Sequence, residues 1–192
     1  YAISSGGRSV SAYARVNVPG QGFGDVALLE TEIHGVNDGQ DVGPTVSGMQ
    51  APTDVALSPD GAMLFVLSAP TADPTLAASI ATFLRVDDPL DPSFGKLVFA
   101  GSVSFPDTAF QPRRLAASAT NVYVSGDSAG SARIAIFRRS ASSGMPSHDI
   151  DLGTGVPAAP GAIAIDSVES ALFVASTTAS GSIQTNVGRP ET

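Results

Sequence analysis

The stretch Ala51-Pro52-Thr53-Asp54-Val55-Ala56-Leu57-Ser58-Pro59-Asp60-Gly61-Ala62-Met63-Leu64-Phe65-Val66-Leu67-Ser68 decides the fold. Ser58-Pro59-Asp60-Gly61 is a type I turn signature, because proline presets φ at the second position and glycine suits the fourth. The runs on either side are rich in β-branched and aromatic residues and bounded by turn formers, so they read as two paired strands. Their apolar character is nearly continuous rather than alternating, which implies burial on both faces.

The same unit recurs at roughly 50 to 60 residue intervals, the signature of a repeat architecture. Gln111-Pro112-Arg113-Arg114-Leu115-Ala116-Ala117-Ser118 leads through a turn into Val122-Tyr123-Val124. Ala159-Pro160-Gly161-Ala162-Ile163-Ala164-Ile165 leads into Leu172-Phe173-Val174. Proline to aromatic is 13 residues in the first and third copies and 11 in the second, so the turn there is shorter. Tyr1-Ala2-Ile3-Ser4 reads as the tail of a further copy. After each hairpin comes a strand with an aromatic two residues ahead of an arginine: 9–15, 79–85 and the strand from Arg133 through Phe137. Arginine there is expected to mark an outer strand whose charge discourages edge-to-edge pairing. Segments beginning at Asp25, Lys96 and His148 are expected to form the innermost strands.

These units predict an all-β protein of about fourteen strands, a β-propeller of about three and a half four-stranded blades. Such a count suits part of a larger or seven-bladed propeller. The expected division is a blade part over 1–18 and blades over 19–88, 89–140 and 141–192, as a single domain or propeller fragment. Two chains completing one ring, or an open sandwich, are alternatives.

The segment from Pro52 to Gly61, with Leu64-Phe65-Val66, resembles the repeat of the YVTN/lactonase-like β-propellers. The likeness covers roughly residues 50 to 176 in three copies. It implies the propeller fold; relatives include sugar-lactone hydrolases, surface-layer proteins and quinoprotein-like proteins, so it leaves function open.

Bulk composition excludes several classes. Hydrophobic residues make up 43% and charged residues 15%, enough for a sizeable core. The net charge of −8, with Lys96 the single lysine, disfavours a nucleic-acid partner. No apolar run approaches the roughly 18 residues that span a bilayer, so membrane insertion is not expected. With Cys 0 there are no disulfides or thiolate metal sites. The opening Tyr1-Ala2-Ile3-Ser4-Ser5 resembles neither a translation start nor a signal peptide, which suggests a removed leader or a piece of something longer. An exported bacterial protein, extracellular or periplasmic, is the expected setting.

Chemistry-bearing residues are sparse. Glu32 and His34 share a strand face at a two-residue spacing, and with Asp54 they are the candidates for acid–base catalysis in a lactonase-like hydrolase. Asn37, Asp38 and Asp41 lie in a glycine-punctuated loop that offers hard oxygen ligands for calcium; a tight turn uses the same residues, and the turn reading is preferred. The Gly-x-Ser-x-Gly nucleophile elbow is absent. The expected function is therefore a non-catalytic propeller segment that binds a protein or glycan, without cofactor. A channel-sited hydrolase and a structural repeat of a cell-surface protein are the alternatives.

Overall fold

The computed structural model describes residues 1–15, 25–37, 44–73, 76–153, 156–166, 171–176 and 183–186. These residues form fourteen strands and no helix, in four antiparallel sheets. The first sheet holds β1 (Ala2–Ser4), β2 (Ser9–Arg15) and β3 (Val26–Ile33). The second holds β4 (Pro52–Leu57), β5 (Met63–Ser68), β6 (Ser79–Arg85) and β7 (Leu97–Ser104). The third holds β8 (Phe110–Ala117), β9 (Asn121–Ser128), β10 (Ser131–Arg139) and β11 (Pro146–Leu152). The fourth holds β12 (Pro160–Ile165), β13 (Leu172–Ser176) and β14 (Ile183–Asn186). In each sheet the strands pair in chain order, the up-and-down arrangement of propeller blades.

Two expectations about the blades are corrected. The divisions after residues 18, 88 and 140 would part β3 from β2, β7 from β6 and β11 from β10, yet each of those pairs is hydrogen-bonded in one sheet. The order from channel to rim is also reversed. The proline-led strands β4, β8 and β12 pack against one another across blades and so lie innermost. The strands that follow the arginines, β3, β7 and β11, are the sheet edges. The arginine-marked strands β2, β6 and β10 are interior, paired on both sides.

Those arginines answer to a local need instead. The Arg85 Nη1 reaches Gly61 O at 3.5 Å. The Arg139 Nη1 donates to Ser118 O at 2.7 Å and to Ala119 O at 3.0 Å. Each guanidinium thus reaches back across the blade to carbonyls of the hairpin turn, groups that would otherwise need water.

The turns share one construction although their sequences differ. Ser58 Oγ accepts the N–H of Met63 at 2.9 Å, and Ser118 Oγ accepts that of Asn121 at 2.9 Å. In the third copy Asp166 Oδ1 accepts the N–H of Ala171 at 3.1 Å. In all three the backbone N–H of the same residue returns the bond to the far strand's carbonyl. What the repeat keeps is an oxygen-bearing side chain at the end of the inner strand, while the Pro-Asp-Gly of the first copy is dispensable.

Burial on both faces holds for the second run of the hairpin, β5, and not for the first, because on the innermost strand β4 Val55 and Ala56 are only partly buried and Leu57 is exposed. Met63, Phe65 and Leu67 of β5 face the third sheet, among Phe105, Phe110, Val124 and Phe137. Leu64 and Val66 face the first, among Val10, Ala12, Phe83 and Phe99. Strand β10 repeats this, with Ala135 and Phe137 toward the second sheet and Ile134 and Ile136 toward the fourth. Successive side chains alternate between faces, so each central strand contributes to two inter-blade cores.

Candidate functional site

The inner strands share an irregularity that the sequence does not advertise. Pairing runs from Pro52↔Ser68 to Asp54↔Leu67, from Pro112↔Gly126 to Arg114↔Ser125, and from Pro160↔Ser176 to Ala162↔Ala175. One residue is skipped each time, so Thr53, Arg113 and Gly161 are β-bulges at equivalent places in three consecutive blades. Proline prepares each bulge, because it has no N–H to give the ladder. A small residue opposite leaves room: a Cβ on Gly126 would lie 2.5 Å from Gln111 O and 3.0 Å from Pro112 Cα. Bulges of this kind re-aim side chains and cluster at the rims of sheets.

The three bulges meet. Thr53, Arg113 and Gly161, with Pro112 and Arg114, line a hollow of about 240 Å³ where the inner strands begin. Arg113 Nε donates to Asp127 Oδ2 at 2.6 Å, and the Arg113 side chain remains 46% exposed. Arg114 Nη1 donates to Arg113 O at 2.8 Å. The Thr53 hydroxyl donates to Leu67 O at 3.3 Å. A second hollow of about 270 Å³ is lined by Thr71, Asp73, Thr108 and Gln111 among others; Gln111 precedes Pro112 on β8.

The residues singled out for catalysis lie elsewhere. Glu32, near the end of β3, is buried. His34 sits in the turn that follows, its backbone N–H donating to Arg8 O at 2.9 Å. Partial burial and then the charge of Arg8 lower the His34 pKa from its usual value, favouring the neutral ring. Asp54 lies on the innermost strand of the next sheet, and its Oδ2 accepts the N–H of Leu115 at 2.8 Å. Glu32 and His34 are thus at the outer edge of one blade while Asp54 is at the channel side of the next. The other histidine, His148, is on edge strand β11, with Nε2 3.0 Å from Asp151 Oδ1 and its ring edge-on to Phe137.

Of the calcium candidates, Asn37 follows the β3 turn, and Asp38 and Asp41 lie outside the described residues. Among the described residues no group of three or more His, Asp or Glu stands close enough to hold a metal ion. No helix among them is long and apolar enough to cross a membrane. The arginines of the hollow, Arg113 and Arg114, were not among the expected site residues. Their signal in the sequence was adjacency on a proline-led strand of a chain with few basic residues.

Comparison with known proteins places the fold. The β-propeller domain of Cps50 (Swd1) from Myceliophteria thermophila is similar at a TM-score of 0.55 and 17% identity, over 84% of this chain and 44% of that one. A Lactobacillus plantarum protein is similar at 0.56 and 16% identity, over 94% of this chain and 51% of that one. A protein described as a putative 6-phosphogluconolactonase from Bacteroides uniformis is similar at 0.53 and 16% identity, over 98% of this chain and 66% of that one. The fold is that of a β-propeller. The chain spans 44% to 66% of the length of these three structures. No protein-family profile matches the sequence, and no curated protein matches it.

Proposed function

We propose that this chain is a non-catalytic part of a β-propeller that binds a glycan or protein at the mouth formed by the starts of β4, β8 and β12, in an exported protein. One observation carries the reading: the equivalent bulges at Thr53, Arg113 and Gly161 converge on a single hollow. Three departures from the ladder at one place serve a surface better than they serve the sheets, where each bulge interrupts pairing. The hollow is open and carries two arginines and a threonine, suited to recognition of one end of a ligand rather than to enclosing a reaction.

The experiment is a binding screen of the chain against an array of glycans and peptides, repeated with Thr53→Trp, which fills the hollow from an exposed position. Binding that the wild type shows and Thr53→Trp loses, with the melting temperature unchanged, is expected. Ligands bound equally by both forms would overturn the placement of the site.

Lactone hydrolysis is the second reading, favoured by the fold shared with the protein described as a lactonase. It requires loss of hydrolysis on removing His34 and His148 together. Turnover that persists in the double variant would exclude the histidine-based mechanism.

A further inference from the structure

We propose that the hollow seats the carboxylate of an acidic saccharide, with the hydroxyls of the adjoining sugar turned toward Thr71, Thr108 and Gln111 in the second hollow. The proposal rests on the reading that ligands bind at the inner-strand mouth, and adds their charge and chemistry. Consecutive residues on a strand normally point to opposite faces. The bulge at Arg113 breaks that alternation, so Arg113 and Arg114 both line the one hollow. Two of the chain's ten basic residues are thereby placed together in a protein of net charge −8.

The arginines are placed to receive something. A guanidinium has five N–H donors in a fixed fork that matches a carboxylate. Arg114 gives one hydrogen bond, to Arg113 O, and Arg113 gives one, to Asp127. The remaining donors have room in the hollow. Asp54, beside Thr53, directs its carboxylate to the Leu115 N–H and does not line the hollow. Asp127 offsets the charge of Arg113, so the site carries a net of about +1, the match for a carboxylate rather than for a phosphate dianion. A volume of about 240 Å³ is below that of pockets for drug-sized ligands and suits a single sugar unit. The threonine hydroxyls, glutamine amide and Asp73 carboxylate of the second hollow are groups that hydrogen-bond sugar hydroxyls, and Asp73 keeps the second carboxylate of an acidic ligand out of that hollow.

The test is calorimetric titration of the chain with trigalacturonate, maltotriose and inorganic phosphate at low salt. Saturable binding of trigalacturonate, weakened by added salt, is expected, and Arg114→Gln lowers its affinity at least tenfold without changing the melting temperature. Arg114 is the residue to change because Arg113 is also tied to Asp127. Absence of saturable trigalacturonate binding, or affinity untouched by Arg114→Gln, overturns the proposal. Phosphate binding more tightly than trigalacturonate overturns it in favour of a simple anion site. Maltotriose binding as well as trigalacturonate, with both lost in Thr53→Trp, overturns the charge proposal but leaves the mouth as the binding surface.

Discussion

Asp54 Oδ2 accepts the backbone N–H of Leu115 at 2.8 Å, joining the innermost strand of one blade to that of the next. A carboxylate receiving an N–H between packed strands is a charge-assisted bond. It explains Asp54 as a link between blades. Asp54→Ala leaves the Leu115 N–H without its partner and is expected to cost about 1–3 kcal/mol. Asp54→Asn keeps an acceptor oxygen and should lose less. Urea unfolding of the two variants measures both, and equal stability of Asp54→Ala and wild type would remove the link.

Arg139 answers a different need. Its two bonds to the Ser118 and Ala119 carbonyls fix the shortest of the three turns, and its guanidinium lies 5.4 Å from the Phe65 ring centroid. Lysine has one nitrogen and no planar fork. Arg139→Lys is therefore expected to lose about 1 kcal/mol and Arg139→Ala about 2 kcal/mol, combining lost hydrogen bonds and the cation–π contact. Thermal melts of both rank them, and a lysine variant as stable as wild type would show that charge alone suffices.

These arginines illustrate what was legible and what was not. Strand number, turn positions and the two-faced burial of β5 were readable because each follows from local residue types: Ser-Pro-Asp-Gly for the turn, Met63 to Leu67 for a strand buried throughout. Channel-to-rim order was not, because it depends on which strands of different blades meet, and β4, β8 and β12 look no more central in sequence than β7. The bulges were hidden for a similar reason. Thr53, Arg113 and Gly161 share no chemistry; what they share is the register of a neighbour, and only Pro52, Pro112 and Pro160 beside them hinted at it.

Acid should destabilise the chain in two stages. His34 has a folded pKa lowered by burial and Arg8. The unfolded chain therefore takes up that proton first, and stability falls as pH drops below the unfolded value of about 6.5. Asp60 is held below its usual range by the Ser58 hydroxyl and the Ala62 N–H, and Asp107 by the Ser128 hydroxyl and the Ala109 N–H. Depressed carboxyl pKa values stabilise the fold above about pH 4, and that contribution is lost as pH falls through the folded values. Melting temperatures from pH 8 to pH 2 should show both steps. His34→Gln is expected to abolish the upper one alone; an unchanged profile would assign it elsewhere.

Ala129 and Gly130 join β9 to β10 with φ of 48° and 78°, both in the left-handed region. Two-residue hairpin loops of this hand match the twist of the strands, but alanine there strains its Cβ against the backbone. Ala129 is exposed and nothing in the turn needs its methyl group. Ala129→Gly is expected to raise stability by about 0.5–1 kcal/mol, and Ala129→Asn to do the same. Denaturant midpoints decide it, with a loss of stability in both variants counting against the strained turn.

Gly126 stands opposite Pro112, where β9 passes close under the bulge that carries Arg113. A methyl group there would meet Gln111 O at 2.5 Å and Phe110 Cζ at 2.7 Å. The ring can yield but the backbone carbonyl yields only if β8 moves, so Gly126→Ala should cost about 1–3 kcal/mol. Because β8 carries the arginines of the hollow, the displacement is transmitted to them. Gly126→Ala is thus expected to weaken ligand binding at conditions where the protein remains fully folded, although residue 126 lines neither hollow. Titration of this variant beside Arg114→Gln tests the coupling. Weakened stability with unaltered affinity would show that the hollow keeps its shape independently of the bulge.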